Sequence, residues 1–96
     1  MSLSKKKPAQ EGRAYRAPWY DTTRWRVERI AYIQEHPECE LCIQEGRRGI
    51  PTTILDHRIN IASVPEEQRE QMFWDKSNWQ GLCTRHHNEK SGRERR

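Results

Sequence analysis

With 96 residues the chain can form one compact domain, and at 32% hydrophobic content and a mean hydropathy of −1.23 it has little apolar material for a core. Three cysteines cannot close a full disulfide framework, and no apolar run suits a signal peptide or a membrane span. A cytosolic protein with reduced thiols, held together by something other than disulfides, is therefore expected. The net charge of +4 is uneven, with net +5 over residues 1–33, −4 over 34–80 and +3 over 81–96; basic ends around a carboxylate-bearing middle suit a polyanionic partner.

Residues 1–20 mix Lys, Pro, Gly and Ala without periodicity and read as a basic flexible arm, from which Tyr15, Trp19 and Tyr20 could pack back onto a domain spanning 21–96. The stretch Thr23 to Glu35 predicts a helix, capped by Asp21 or Thr22 and stopped by Pro37. Its apolar side is expected from Val27, Ile30, Ala31 and Ile33, leaving Arg24, Arg26 and Arg29 for solvent or phosphate. Gly46, Gly49 and Pro51 mark a turn, and the β-branched run from Thr52 to Ile59 predicts a strand. Ser63 with Glu66 makes a capping box, Pro65 fits a first turn, and a short helix over 64–73 is expected. A last helix is predicted from Thr84 to Arg95, fraying around Gly92.

Cys39-Glu40-Leu41-Cys42 and Cys83-Thr84-Arg85-His86 have the same two-residue spacing, which lets a tight turn aim both ligands of each pair at one ion. Together they supply a Cys3His tetrahedron suited to structural Zn²⁺. The 40 residues between the pairs make the metal a clip between distant parts of the chain, the arrangement from which a small core gains most. A closed four-ligand site has no place for substrate, so any catalysis belongs elsewhere.

Asp56, His57, Asn78 and His87 are polar residues the knuckle does not use. The Asp56 carboxylate and the His87 imidazole can share one divalent cation, leaving most of its coordination sphere to water and phosphate oxygens. His57 has the right chemistry to take a proton from water.

Taken in order, Cys39-x2-Cys42, Leu55-Asp56-His57 and Asn78-Trp79-Gln80-Gly81-Leu82-Cys83-x2-His86-His87-Asn88-x-Lys90-Ser91 resemble the HNH nuclease family, over roughly residues 36–92. The three eponymous positions are His57, Asn78 and His87. The resemblance implies an α+β chain: a small ββα-metal fold, two strands and a helix around one Mg²⁺ or Mn²⁺ ion, with a zinc knuckle and flanking helices. It implies that Asp56 and His87 hold the ion, that His57 activates water for in-line attack on a scissile phosphate, and that Asn78 fixes the loop that orients His57. Arg85 and Lys90 become candidate phosphate contacts. Many zinc-bearing relatives have cysteine where this chain has His86; the two-residue spacing assigns His86 to the knuckle and leaves His87 for the catalytic ion. An insert from Ile61 to Ser77 replaces a shorter connection.

The function expected from this resemblance is a metal-dependent DNA endonuclease that nicks one strand per event. It is expected as a monomer, with a dimer as the alternative, in the bacterial cytoplasm beside a phage terminase. A zinc-stabilised module that binds nucleic acid without cutting it is the alternative, and a structural knuckle for protein contacts is a third reading. No membrane role is expected.

Overall fold

The structure is a computed structural model that describes residues 15–94; residues 1–14 of the expected arm, and Arg95 at the end of the expected last helix, lie outside the described residues. Six main elements follow in order: α1 (Thr23–Glu35), α2 (Glu40–Gln44), β1 (Ile54–His57), α3 (Arg69–Trp74), β2 (Trp79–Leu82) and α4 (Thr84–Glu94). Short 3-10 turns at Pro18–Asp21, Ile61–Ser63, Glu66–Gln68 and Lys76–Asn78 connect them. None of the described helices is long and apolar enough to cross a membrane.

α1 has the predicted bounds. Thr22 is extended and its hydroxyl accepts from Trp25 N at 3.1 Å, so it satisfies a backbone donor that the first turn leaves orphaned. Asp21 instead pairs with Arg16. The buried face differs from the one expected. Val27 and Ile30 are 61% and 48% exposed and Ala31 is exposed, while Trp25 and Tyr32, seven residues apart, are buried and Ile33 is half-buried. At 100° per residue Trp25 and Tyr32 share one side and Val27, Ile30 and Ala31 the other. The larger apolar area of the two aromatic rings decides which side turns inward.

β1 and β2 form an antiparallel pair in the register Leu55 opposite Gly81 and His57 opposite Trp79. The expected strand from Thr52 to Ile59 is shorter, because Thr52 N bonds back to Pro37 O and Arg58 N reaches Asn78 O across the turn. Alternation puts Leu55, His57 and Trp79 on one face and Asp56, Gln80 and Leu82 on the other. The first face packs on α1 in a core of Ala17, Trp25, Tyr32, Leu55, Ile61, Phe73 and Trp79; the second cluster is Cys39, Cys42, Leu82 and Cys83. Phe73 and Trp79 are completely buried, and truncating such a ring costs about 3–5 kcal/mol. Tyr15, Trp19 and Tyr20, from the expected arm, pack against the same core.

The Ile61 to Ser77 insert supplies Phe73 but starts differently from the prediction. Ser63 Oγ donates to Asn60 O at 2.7 Å and Asn60 caps the first turn through Ala62 N; Ser63 N also donates to Asn60 O, at 2.9 Å, so the backbone donor that Glu66 would accept from in a capping box is already engaged. Pro65 precedes the Glu66–Gln68 turn, and the α-helix begins only at Arg69. α4 runs through Gly92 to Glu94.

Gly81 is where the hairpin meets the chain before β1: a Cβ there would lie 2.8 Å from both Cγ2 and Oγ1 of Thr52, a short, β-branched, buried side chain with no room to swing aside. Gly81→Ala is expected to destabilise the fold by about 1–3 kcal/mol, read as a fall of several degrees in melting temperature; an unchanged melting curve would contradict this packing.

Candidate functional site

The knuckle begins where residues 37–39 lie antiparallel to 50–52. Cys39 N bonds Ile50 O at 2.7 Å, and Glu38 bridges to Pro51. Glu38 receives two bonds from Arg48 and one from Gly49 N, which hold its carboxyl down at about 2. α2 ends in a Schellman turn: Arg47 N reaches Cys42 O at 2.8 Å, Gly46 N reaches Ile43 O at 2.9 Å, and Gly46 takes φ +84°, a conformation that suits glycine. β2 then delivers Cys83, and the first turn of α4 delivers His86.

Four buried donors converge: Cys39, Cys42, Cys83 and His86, with ligand atoms all within 4.8 Å of one another. His86 Nδ1 lies 3.4, 3.5 and 3.4 Å from the sulfurs of Cys39, Cys42 and Cys83, and the Cys42 and Cys83 sulfurs are 3.9 Å apart. A tetrahedral ion with bonds of about 2.3 Å to sulfur and 2.0 Å to nitrogen separates its donors by roughly 3.5–3.8 Å. The set therefore fits zinc, and of the adjacent histidines it is His86 that joins it. The other His86 nitrogen, Nε2, donates to Glu45 Oε2 at 2.9 Å. This carboxylate fixes the ring and its tautomer, as ligand histidines generally require. Glu45 carries no spacing signature, so sequence reasoning missed it. Glu40, between the two knuckle cysteines, accepts from Tyr32 Oη and Gly81 N, both at 2.8 Å, and pairs with Arg58. Those bonds tie the knuckle to α1 and β2.

The second group of polar residues sits on the hairpin and α4. His57 is 2% exposed, stacked on Trp25 at 5.6 Å and 16°, with Phe73 4.8 Å away. Its Nε2 lies 2.9 Å from Phe73 O. A carbonyl can only accept, so Nε2 carries the hydrogen and the Nδ1 lone pair is free as a base. Tyr20 Oη lies 3.2 Å from that Nδ1. Burial pushes His57 below its ordinary 6.5, partly opposed by the Phe73 carbonyl and Asp56, which keeps the ring neutral at pH 7. Tyr20 is pushed up to about 12, first by burial and then by Asp56.

Asn78 is buried; its Oδ1 accepts from Ile59 N at 2.9 Å and its Nδ2 reaches Ile59 O at 3.3 Å, so it spans the loop leaving β1 directly after His57. Asp56 points to the face opposite His57, toward α4. Lys90, itself buried, places Nζ 3.2 Å from Asp56 Oδ2 and also pairs with Glu94. His87 is three residues before Lys90 and shares its side of the helix; its Nδ1 is buried without a hydrogen-bond partner. An unpartnered imidazole nitrogen and, one helical turn on, a lysine paired with a carboxylate bring to this side of α4 groups of the kind that can ligate a divalent cation. Arg85 is exposed and pairs with Glu45 and Glu89. Glu94 was not singled out from the sequence, although it stands four residues after Lys90, a spacing that signals such a pair; Tyr20 was expected only to pack back on the domain, and nothing local signals its contact with His57.

No family model matches the chain, and no curated protein sequence does. Among solved structures it is similar to the HNH endonuclease of the deep-sea thermophilic bacteriophage GVE2, crystallised with manganese ion. The TM-score is 0.62 and the identity 26%, over 80% of this chain and 78% of that one.

Removal of the Glu45 carboxylate (Glu45→Ala) should weaken zinc binding by about 10–100-fold, measured by competition with a chromophoric chelator. Wild-type affinity in that variant would mean that the Glu45–His86 bond does not support the site.

Proposed function

We propose that this chain, which shares its fold with a phage HNH endonuclease and carries a Cys3His knuckle, hydrolyses DNA phosphodiester bonds with one divalent cation held by Asp56 and His87. The observation that carries the reading is the likeness to a phage HNH endonuclease; a buried, partnerless His87 nitrogen, three residues before the lysine that pairs with Asp56, supports it. Mg²⁺ or Mn²⁺ bound there supplies positive charge to the scissile phosphate and to the leaving 3′ oxygen. His57, neutral and with Nε2 spent on Phe73 O, is the final acceptor of the proton lost by the attacking water. Asn78 positions His57 by holding the loop that follows it. Lys90 is bonded to both Asp56 and Glu94; it keeps the carboxylates in place until a cation takes over Asp56, after which its ammonium is free for phosphate. Arg85, at the exposed start of α4, is the second phosphate contact of this reading.

Zinc in the knuckle is structural in this account, because its four ligands are protein atoms and no coordination position is left for water. With one cation centre per chain the enzyme nicks one strand per event as a monomer. A role beside a phage terminase in genome packaging is part of the same proposal and rests on the resemblance in the sequence alone.

Supercoiled plasmid incubated with the protein and Mg²⁺ or Mn²⁺ tests the reading, with bound zinc quantified on the same preparation. Nicking is expected with either ion and not without them. Asp56→Asn and His87→Ala are each expected to lower the rate by 10²-fold or more while zinc content and melting temperature stay near wild type. DNA retention without cutting in any metal would instead make the chain a nucleic-acid-binding module.

A further inference from the structure

His57 presents a geometric difficulty as a base. It is 2% exposed, and the pleat of β1 places it on the face opposite Asp56, so water on the cation side of the strand has no direct line to the ring. Nε2 is committed to Phe73 O at 2.9 Å, and the remaining lone pair, on Nδ1, faces Tyr20 Oη at 3.2 Å. Tyr20 is half-buried, and its phenol lies within the field of both the Asp56 and Glu94 carboxylates. The hydroxyl is thus the group in contact with the one uncommitted nitrogen of the buried base, and it belongs to a side chain that is only half-buried.

The ring cannot readily leave. It packs edge-on against Trp25 at 5.3 Å and 88° and Phe73 at 4.8 Å and 76°, with the Arg16 guanidinium 4.9 Å over it. Swinging Tyr20 out would open the aromatic core around a buried imidazole. A hydroxyl, however, donates and accepts at once, so it need not move to pass a proton.

We propose that Tyr20 is a catalytic proton relay: its Oη gives its own proton to His57 Nδ1 while taking one from the attacking water. The proposal rests on the endonuclease reading. In this step the water oxygen forms its bond to phosphorus as the bond from phosphorus to the leaving 3′ oxygen breaks. One water proton passes to Tyr20 Oη, the phenol proton passes to His57, and the phenol ends as it began. The 3′ oxygen takes a proton from solvent, and the imidazolium later returns one to solvent, which balances hydrolysis.

Tyr20→Phe keeps the ring in its aromatic setting and removes only the hydroxyl. In single-turnover plasmid nicking with Mn²⁺, its rate should fall by about 10²-fold, with zinc content and melting temperature unchanged. Rates in mixtures of H₂O and D₂O should give a bowed dependence on deuterium fraction for the wild type, as two protons in flight require, and a straight line for the variant. Wild-type or faster nicking by Tyr20→Phe overturns the relay and makes the phenol a cover over His57. A slowed variant that keeps the bowed dependence also overturns it, leaving Tyr20 a packing role. If the wild type binds DNA and does not nick, the endonuclease reading falls and the relay with it; a nicking wild type with an undiminished variant removes the relay alone.

Discussion

The Cys3His knuckle is the constraint on which the other positions depend. Cys39 and Cys42 come from the segment around α2, Cys83 from the end of β2 and His86 from the first turn of α4. Holding these four donors at one point sets the rotation of α4 about its axis. With His86 turned to the sulfurs, His87 and Lys90 are turned toward β1, where Lys90 meets Asp56 at 3.2 Å. The adjacent histidines thus serve different faces because one residue is about 100° of helix. A chain this polar has little core with which to impose such a register by packing alone, and a Cys3His cluster that fits zinc joins the distant segments where packing is thin.

The aromatic core performs the matching task on the other face of the hairpin. Trp25, Phe73 and Tyr20 enclose His57, and the Phe73 carbonyl accepts from both His57 Nε2 and Trp79 Nε1. That shared acceptor sets the tautomer and leaves one nitrogen available as a base. The same burial that organises His57 also hides it, so His57 and Asp56 lie on opposite faces of the hairpin, separated by the thickness of one strand. The two faces differ accordingly: burial lowers the pKa of the imidazole on one, whereas on the other the buried Lys90 side chain pairs with both Asp56 and Glu94.

Much of this was legible in the sequence because it is encoded locally. The bounds of α1 follow from a threonine cap and a following proline, the knuckle from two pairs of ligands at fixed spacing, and the ββα arrangement from the ordered string that resembles HNH nucleases. What was not legible depends on distant contacts. Which face of α1 is buried is decided by Trp79, Phe73 and the hairpin, so an aliphatic stripe of Val27, Ile30 and Ala31 ended in solvent. Ser63 could have formed a capping box with Glu66, but its backbone N–H is taken by Asn60 O. Tyr20 reads as part of a basic arm and becomes a neighbour of His57 only across 37 residues of chain. Glu45 has no motif of its own and meets His86 across 41 residues.

Hydrolysis as proposed needs a divalent cation lodged between Asp56 and His87. A crystal soaked in Mn²⁺ and measured at the manganese absorption edge tests this most directly. An anomalous peak bonded to an Asp56 carboxylate oxygen and to His87 Nδ1 is expected, with Lys90 Nζ moved off Asp56; no peak there, with Lys90 still seated on Asp56, would contradict the proposal.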